Sequence, residues 1–104
     1  MASRPMRIRA VEKDGVTEVK VLMSHIMETG QRKGSDGKIV PAHFIDLVEA
    51  KCNDKVVLTA QWGPAVSRDP FLSFKFKGGK KGDKIVISWK DNEGESRSDT
   101  TEIH

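Results

Sequence analysis

The sequence predicts an all-β protein: an antiparallel β-sandwich of about seven short strands, in one domain covering residues 1–104. Three observations carry this. Apolar and polar residues alternate with period two in several short runs, most cleanly in Leu72, Phe74, Phe76 and in Ile85, Ile87, Trp89. Clusters of Gly, Asn and Asp separate the runs. No segment holds the dozen or so residues of helical spacing that the crossovers of a parallel α/β sheet require.

The elements follow in order. Met6, Ile8 and Ala10 alternate until Asp14-Gly15, a strong two-residue hairpin signal, and Val19, Val21 and Met23 then alternate against Glu18, Lys20 and Leu22. From His25 to Pro41 the chain is polar and carries Gly30, Gly34 and Gly37; this reads as a long loop with room for one helical turn near its start. In the segment from His43 to Ala50, Phe44 and Val48 share one parity and Ile45 and Leu47 the other. Apolar residues on both faces imply a segment covered on two sides, inside the domain or at an interface, and positions 44, 47 and 48 also fit a short helix. Asn53-Asp54 turns the chain into a strand with Val56, Leu58, Ala60 and Trp62. The runs ending at Phe76 and starting at Ile85 are expected to pair as a hairpin across the Gly78–Asp83 loop. After the turn from Asp91 to Gly94, the Ser/Thr-rich stretch from Glu95 to Ile103 reads as an edge strand.

Composition narrows the function classes. A chain of 104 residues, 37% hydrophobic and 32% charged, supports one modest core and is not a disordered polymer. No apolar run approaches the ~20 residues that span a bilayer, so no membrane partner is expected. The first residues hold neither an apolar signal core nor a small-residue cleavage site, which taken alone reads as cytoplasmic or as a missing leader; export as cargo on a signal-bearing partner is equally compatible. Net charge is +3, with a pI near 9.1. The lysines at 75, 77, 80, 81, 84 and 90 crowd the last alternating pair, with only Asp83 among them. They read as a solvated face and edge protection, and nucleic acid is not expected, because no aromatic is placed on the parity of Lys75 and Lys77 and Tyr is absent. The lone Cys52 permits no intrachain disulfide and belongs to no CxxC motif; it reads as a small residue at a strand end, with Lys51 and Lys55 only weak activators.

Catalytic chemistry is hard to find. There is no P-loop, dinucleotide fingerprint or nucleophile elbow, so no catalytic residue and no cofactor is assigned. The one metal-like cluster is Met23-Ser-His25-Ile-Met27, whose alternate positions on an extended chain share one side. Soft ligands of this kind suit Cu(I), and a small copper-binding β-sandwich is the alternative function; the competing role of Met23 is core and that of His25 is a strand-ending loop. The loop from Gly63 to Pro70 has two prolines, two apolar residues and an Arg-Asp pair, a rigid semi-apolar chemistry that suits docking against a protein better than cutting a bond.

Four stretches in order complete the pattern: VLMSHIMETG over 21–30, PAHFI over 41–45, GPAVSRDPFLSFKF over 63–76 and GDKIVISWKDNEG over 82–94. Together they resemble the SoxZ family, the non-carrier subunit of the SoxYZ sulfur-carrier complex of thiosulfate oxidation. The resemblance covers nearly the whole chain. It implies an immunoglobulin-like sandwich, no enzymatic activity of its own, and a heterodimer with SoxY, whose glycine-flanked cysteine tail carries the sulfur intermediates. It also implies a periplasmic location reached with signal-bearing SoxY, and transient contact with other Sox enzymes. The chain ends Thr101-Glu-Ile-His104 and has no such tail, and Cys52 lacks flanking glycines, so neither takes the carrier role. Interface anchors are expected at Phe44, Ile45 and Val48 and along Pro64, Val66, Arg68, Asp69, Pro70 and Phe71. Met23, His25 and Met27 are candidates for contact with the carrier arm.

Overall fold

The computed structural model describes residues 4–104. Seven strands follow one another: β1 (Arg7–Lys13), β2 (Val16–Leu22), β3 (Ile45–Cys52), β4 (Lys55–Gln61), β5 (Phe71–Lys77), β6 (Lys84–Asp91) and β7 (Ser96–Glu102). They form two antiparallel sheets, β1-β2-β5 and β4-β3-β6-β7, and no described residue is helical. The all-β sandwich is therefore as the alternation predicts. The inward parity builds the core: Val19 and Val21 from β2, Ile45, Val48 and Ala50 from β3, Ile85, Ile87 and Trp89 from β6. Two hairpins turn on two residues each. Asp14 and Gly15 lie at φ 53° and 80°, and Asn53 and Asp54 at φ 48° and 68°, the double left-handed turn whose twist matches the flanking strands.

Three expectations need correction. The strands ending at Phe76 and starting at Ile85 do not pair. β5 joins β2, and β6 lies between β3 and β7. The intervening residues 78–83 cross from one sheet to the other, a gap of about 10 Å that a loop of that length spans easily. The second concerns β3, which is neither helical nor a strand with two apolar faces. Its register slips between Ile45 and Leu47, so Asp46 is an extra residue and Ile45 and Val48 face the same core despite their opposite parity. The loop from His25 to Pro41 likewise has no helical turn. It is a narrow extension held by bridges Glu28↔His43 and Lys33↔Ile39. With it the molecule measures 54 × 22 × 18 Å, and its radius of gyration of 15.4 Å exceeds the ~13 Å of a compact domain this size.

The sandwich is sealed on one side only. There the chain end lies against β1: Glu12 N–H donates to the carbonyl of His104, and His104 N–H to that of Ala10, both at 2.9 Å. Met6 N–H donates to the Asp99 carboxylate of β7 at 2.9 Å. This closure leaves β4 and β5 as the edges of the opposite side. Most of the half-buried hydrophobic residues packed on the core belong there: Val57, Leu58 and Ala60 of β4, Trp62 and Val66 of the joining loop, and Leu72, Phe74 and Phe76 of β5.

Candidate functional site at the Asp91 end of the sandwich

At one end of the sandwich four separate pieces of chain are tied together. The exit of β2 is bound to the β4–β5 loop: Met23 N–H donates to the carbonyl of Pro70, Asp69 N–H to that of His25, and His25 N–H to Asp69 Oδ1 at 3.0 Å. The entry to β3 is bound to the β6–β7 turn. Phe44 N–H donates to Asn92 Oδ1, Asn92 N–H to the carbonyl of Phe44, and the Asn92 amide to that of Ala42. Glu28 and His43 exchange both backbone bonds.

Asp91, the last residue of β6, is the hub. Its side chain is fully buried. Oδ1 accepts the N–H groups of Glu93 and Glu95 at 3.0 and 2.9 Å. Oδ2 faces Nε2 of His25 at 3.1 Å and Nε2 of His43 at 2.7 Å. Burial pushes the carboxyl upward, but the four hydrogen bonds outweigh it and hold Asp91 below the ordinary carboxylate range. The proton positions follow from the partners. His25 Nδ1 accepts the N–H of Met27 at 3.0 Å, so it carries no hydrogen, and the ring hydrogen is on Nε2, donated to Asp91. His43 has a carboxylate on each side, Asp91 at Nε2 and Glu93 at Nδ1, 3.2 Å away. The His25 ring also meets Trp89 edge-on at 5.2 Å and His43 at 4.8 Å.

His25, His43 and Asp91 bring three ligand-type atoms within 4.8 Å of one another, the spacing of a metal site. The donor set does not suit one. A ligating Nε2 must be bare and its Nδ1 must carry hydrogen, usually given to a carbonyl or carboxylate. Here Nδ1 of His25 faces a backbone N–H instead, and Asp91 already accepts four hydrogen bonds. The group is a hydrogen-bonded knot that fixes four loops against one another.

The residues expected from sequence fall into distinct places. Pro64, Arg68, Asp69 and Phe71 are exposed, and Phe44 and Val66 half-buried. Ile45 and Val48 are 0% exposed and lie in the core, Ile45 being turned inward by the Asp46 bulge, and Pro70 is buried, so these three side chains offer little surface in this chain. Asp69 is exposed, yet its carboxylate is spent on His25. Met23 is buried in the core, and Met27 Sδ accepts Ile45 N–H at 3.3 Å. The residues that sequence reasoning missed are Asp91 and His43. The stretch DNEG at 91–94 showed only as a turn, although an Asp opening a turn of this kind is the signal for a side chain that bonds the backbone two residues on.

The family described as sulphur oxidation protein SoxZ matches residues 6–102. The chain belongs to the SoxZ family. It is accordingly a protein of Sox sulfur oxidation, as the four ordered stretches suggest, and those stretches have a physical unity: each contributes to the Asp91 end. No curated protein matches the chain. Among solved structures, a superoxide reductase (neelaredoxin) from Archaeoglobus fulgidus is similar at a TM-score of 0.60 and 19% identity, covering 96% of this chain and 89% of that one. That likeness concerns the fold alone.

Proposed function

We propose that this SoxZ-family chain is the non-catalytic partner of a SoxY-type carrier protein, forming a heterodimer in the periplasm, where SoxY's cysteine arm bears the sulfur intermediates of thiosulfate oxidation. One observation carries the reading: the open side of the sandwich. Edge strands β4 and β5 leave their outer backbone groups unpaired by any strand, and between them lies the half-buried apolar strip of Leu58, Phe74 and Phe76. An edge of this kind invites pairing with another chain unless something covers it. Pro64 and Arg68 of the loop joining β4 to β5 are exposed. A lasting subunit contact takes about 800 Å² from each partner, so more of the open side than this strip would have to take part. The periplasmic location is part of the same reading, with export alongside the signal-bearing partner. The Asp91 end supports it as well, because its ring nitrogens and carboxylate oxygens are all engaged with one another or with the backbone, which gives a rigid platform.

The test is size-exclusion chromatography with mass detection, on this chain alone and mixed with a SoxY-type protein bearing the glycine-flanked cysteine tail. A 1:1 complex that survives dilution to nanomolar concentration is expected. Two folded proteins eluting separately would overturn the proposal.

A further inference from the structure

The outward face of the β1-β2-β5 sheet carries a charge excess larger than that of the whole chain. Register assigns its rows without ambiguity: Arg7, Leu22 and Phe71 stand side by side, then Arg9, Lys20 and Ser73, then Val11, Glu18 and Lys75, then Lys13, Val16 and Lys77. Six cations face outward against the single carboxylate of Glu18, an excess of five where the chain nets +3. Glu18 does little to neutralise them, reaching Lys20 and Lys75 only at 3.7 Å each. Arg7 and Arg9 pair with no carboxylate among the described residues. The outward face of the other sheet is mixed, with Glu49 beside Lys51 at 3.5 Å.

One corner of the basic face is apolar. Leu22 is 43% and Phe71 61% exposed, and with Arg7, Arg9 and Lys20 they line a shallow hollow of about 210 Å³. Phe71 also corrects the expectation that no aromatic shares the parity of Lys75 and Lys77: it occupies that parity at the start of β5.

We infer that this face is a docking surface for an acidic patch on a second protein, with an apolar side chain of that protein seated between Leu22 and Phe71 and its carboxylates on Arg7, Arg9 and Lys20. Shape and charge fix the kind of contact: three strands about 4.8 Å apart and seven residues of about 3.4 Å each make a narrow face of roughly 14 by 24 Å in flat outline, mostly charged with one apolar corner. Such a face suits a brief, electrostatically steered encounter, and it is distinct from the open β4–β5 side. A nucleic-acid strand fits it less well: successive bases need successive aromatic platforms, and this face has Phe71 alone, at its corner. The inference rests on the face itself and holds whether or not a SoxY-type partner binds the open side.

The test measures fluorescence anisotropy of three labelled probes with the full chain, over a range of salt: a glutamate-rich peptide with one central leucine, the same peptide with serine there, and an oligothymidylate of equal charge. The leucine peptide is expected to bind most tightly. The double variant Arg7→Glu with Arg9→Glu is expected to weaken it about tenfold or more at low salt and to flatten its salt dependence. Phe71→Ser should erase the preference for leucine over serine. Lys51→Glu with Lys90→Glu, on the opposite sheet, makes the same charge change and should matter little. Equal losses from the two double variants, tighter binding of the oligothymidylate, or no leucine preference would each overturn the inference. Thermal melting verifies the fold of each variant, and Arg7→Gln with Arg9→Gln replaces the reversal if it melts early.

Discussion

Replacing Asp91 by asparagine isolates the knot at one atom. The volume is unchanged, and the new carbonyl can keep the two backbone N–H groups of Glu93 and Glu95. The amide NH2 then points at His25 Nε2, which is itself a donor. His25 cannot answer by moving its hydrogen, because Met27 N–H occupies Nδ1. The His25 contact becomes donor against donor, and His43 Nε2 loses the carboxylate oxygen it faces. Each charge-assisted hydrogen bond contributes about 1.5–3 kcal/mol, and breaking a buried pair from one side costs about 3–5 kcal/mol. We therefore expect Asp91→Asn to cost about 3–5 kcal/mol at neutral pH, a large share of the 5–15 kcal/mol of a domain like this. At ~4 °C or more per kcal/mol, Tm should fall by at least about 12 °C. Urea unfolding followed by tryptophan fluorescence measures it, with Trp89 beside His25 as reporter. The pH dependence provides a second reading. The Asp91 carboxyl is held below its unfolded value of about 3.9, so its stabilisation is complete above that value and disappears as pH falls through the folded value. The gap between wild type and variant should be widest near neutrality and shrink below about pH 4. A cost under about 1 kcal/mol, or a gap indifferent to pH, would refute the proton assignment.

Two further substitutions and one labelling experiment test other parts of the fold. Gly79 has φ 82°, and a Cβ there would lie 2.5 Å from Thr17 Oγ1 and 3.0 Å from Ile103 Cδ1; Gly82 has φ 93° and open space around it. Gly79→Ala should therefore cost clearly more than the ~1 kcal/mol of backbone strain expected for Gly82→Ala, and equal costs in chemical denaturation would remove the packing argument. Cys52 is buried at the end of β3, and burial first, then the charge of Asp83, pushes its thiol up against a weaker opposing pull from Lys55. Its reaction with a disulfide reagent should be slow in the native protein and accelerate in proportion to unfolding by urea; fast labelling without denaturant would contradict that placement.

Much of the fold was legible because burial on one face writes itself as alternation. β1, β2, β4, β6 and the hairpin turns at Asp14-Gly15 and Asn53-Asp54 are local signals, and local signals suffice for them. Pairing is not local. The chain from Phe76 to Ile85 looks like a hairpin, yet whether two alternating strands lie side by side or in facing sheets depends on what else competes for their edges, and here β2 and β3 win. β3 misled for a different reason: a bulge at Asp46 inverts parity within one strand, so a single buried face imitates two. The candidate site was the least legible part. Asp91, His25 and His43 come from positions far apart in the chain, and their meaning lies in which ring nitrogen meets which neighbour. The resemblance stretches pointed to the right segments without revealing that one carboxylate joins them.

The two contact surfaces proposed here respond oppositely to salt, which makes them separable in one experiment. The β4–β5 strip is apolar and would bind by removing surface from water, an effect that added salt leaves intact or strengthens. The outward face of β1-β2-β5 is cationic and small, and its attraction is screened once the Debye length falls to a few ångströms. Raising sodium chloride from about 0.05 M to about 0.5 M should therefore preserve a heterodimer built on the open side while abolishing binding of an acidic peptide to the basic face of the same complex. A lasting partner on one side would then leave the second free for successive brief encounters. If salt dissolves both contacts in parallel, or if the acidic peptide competes with the partner, the two surfaces are one and the division of labour fails.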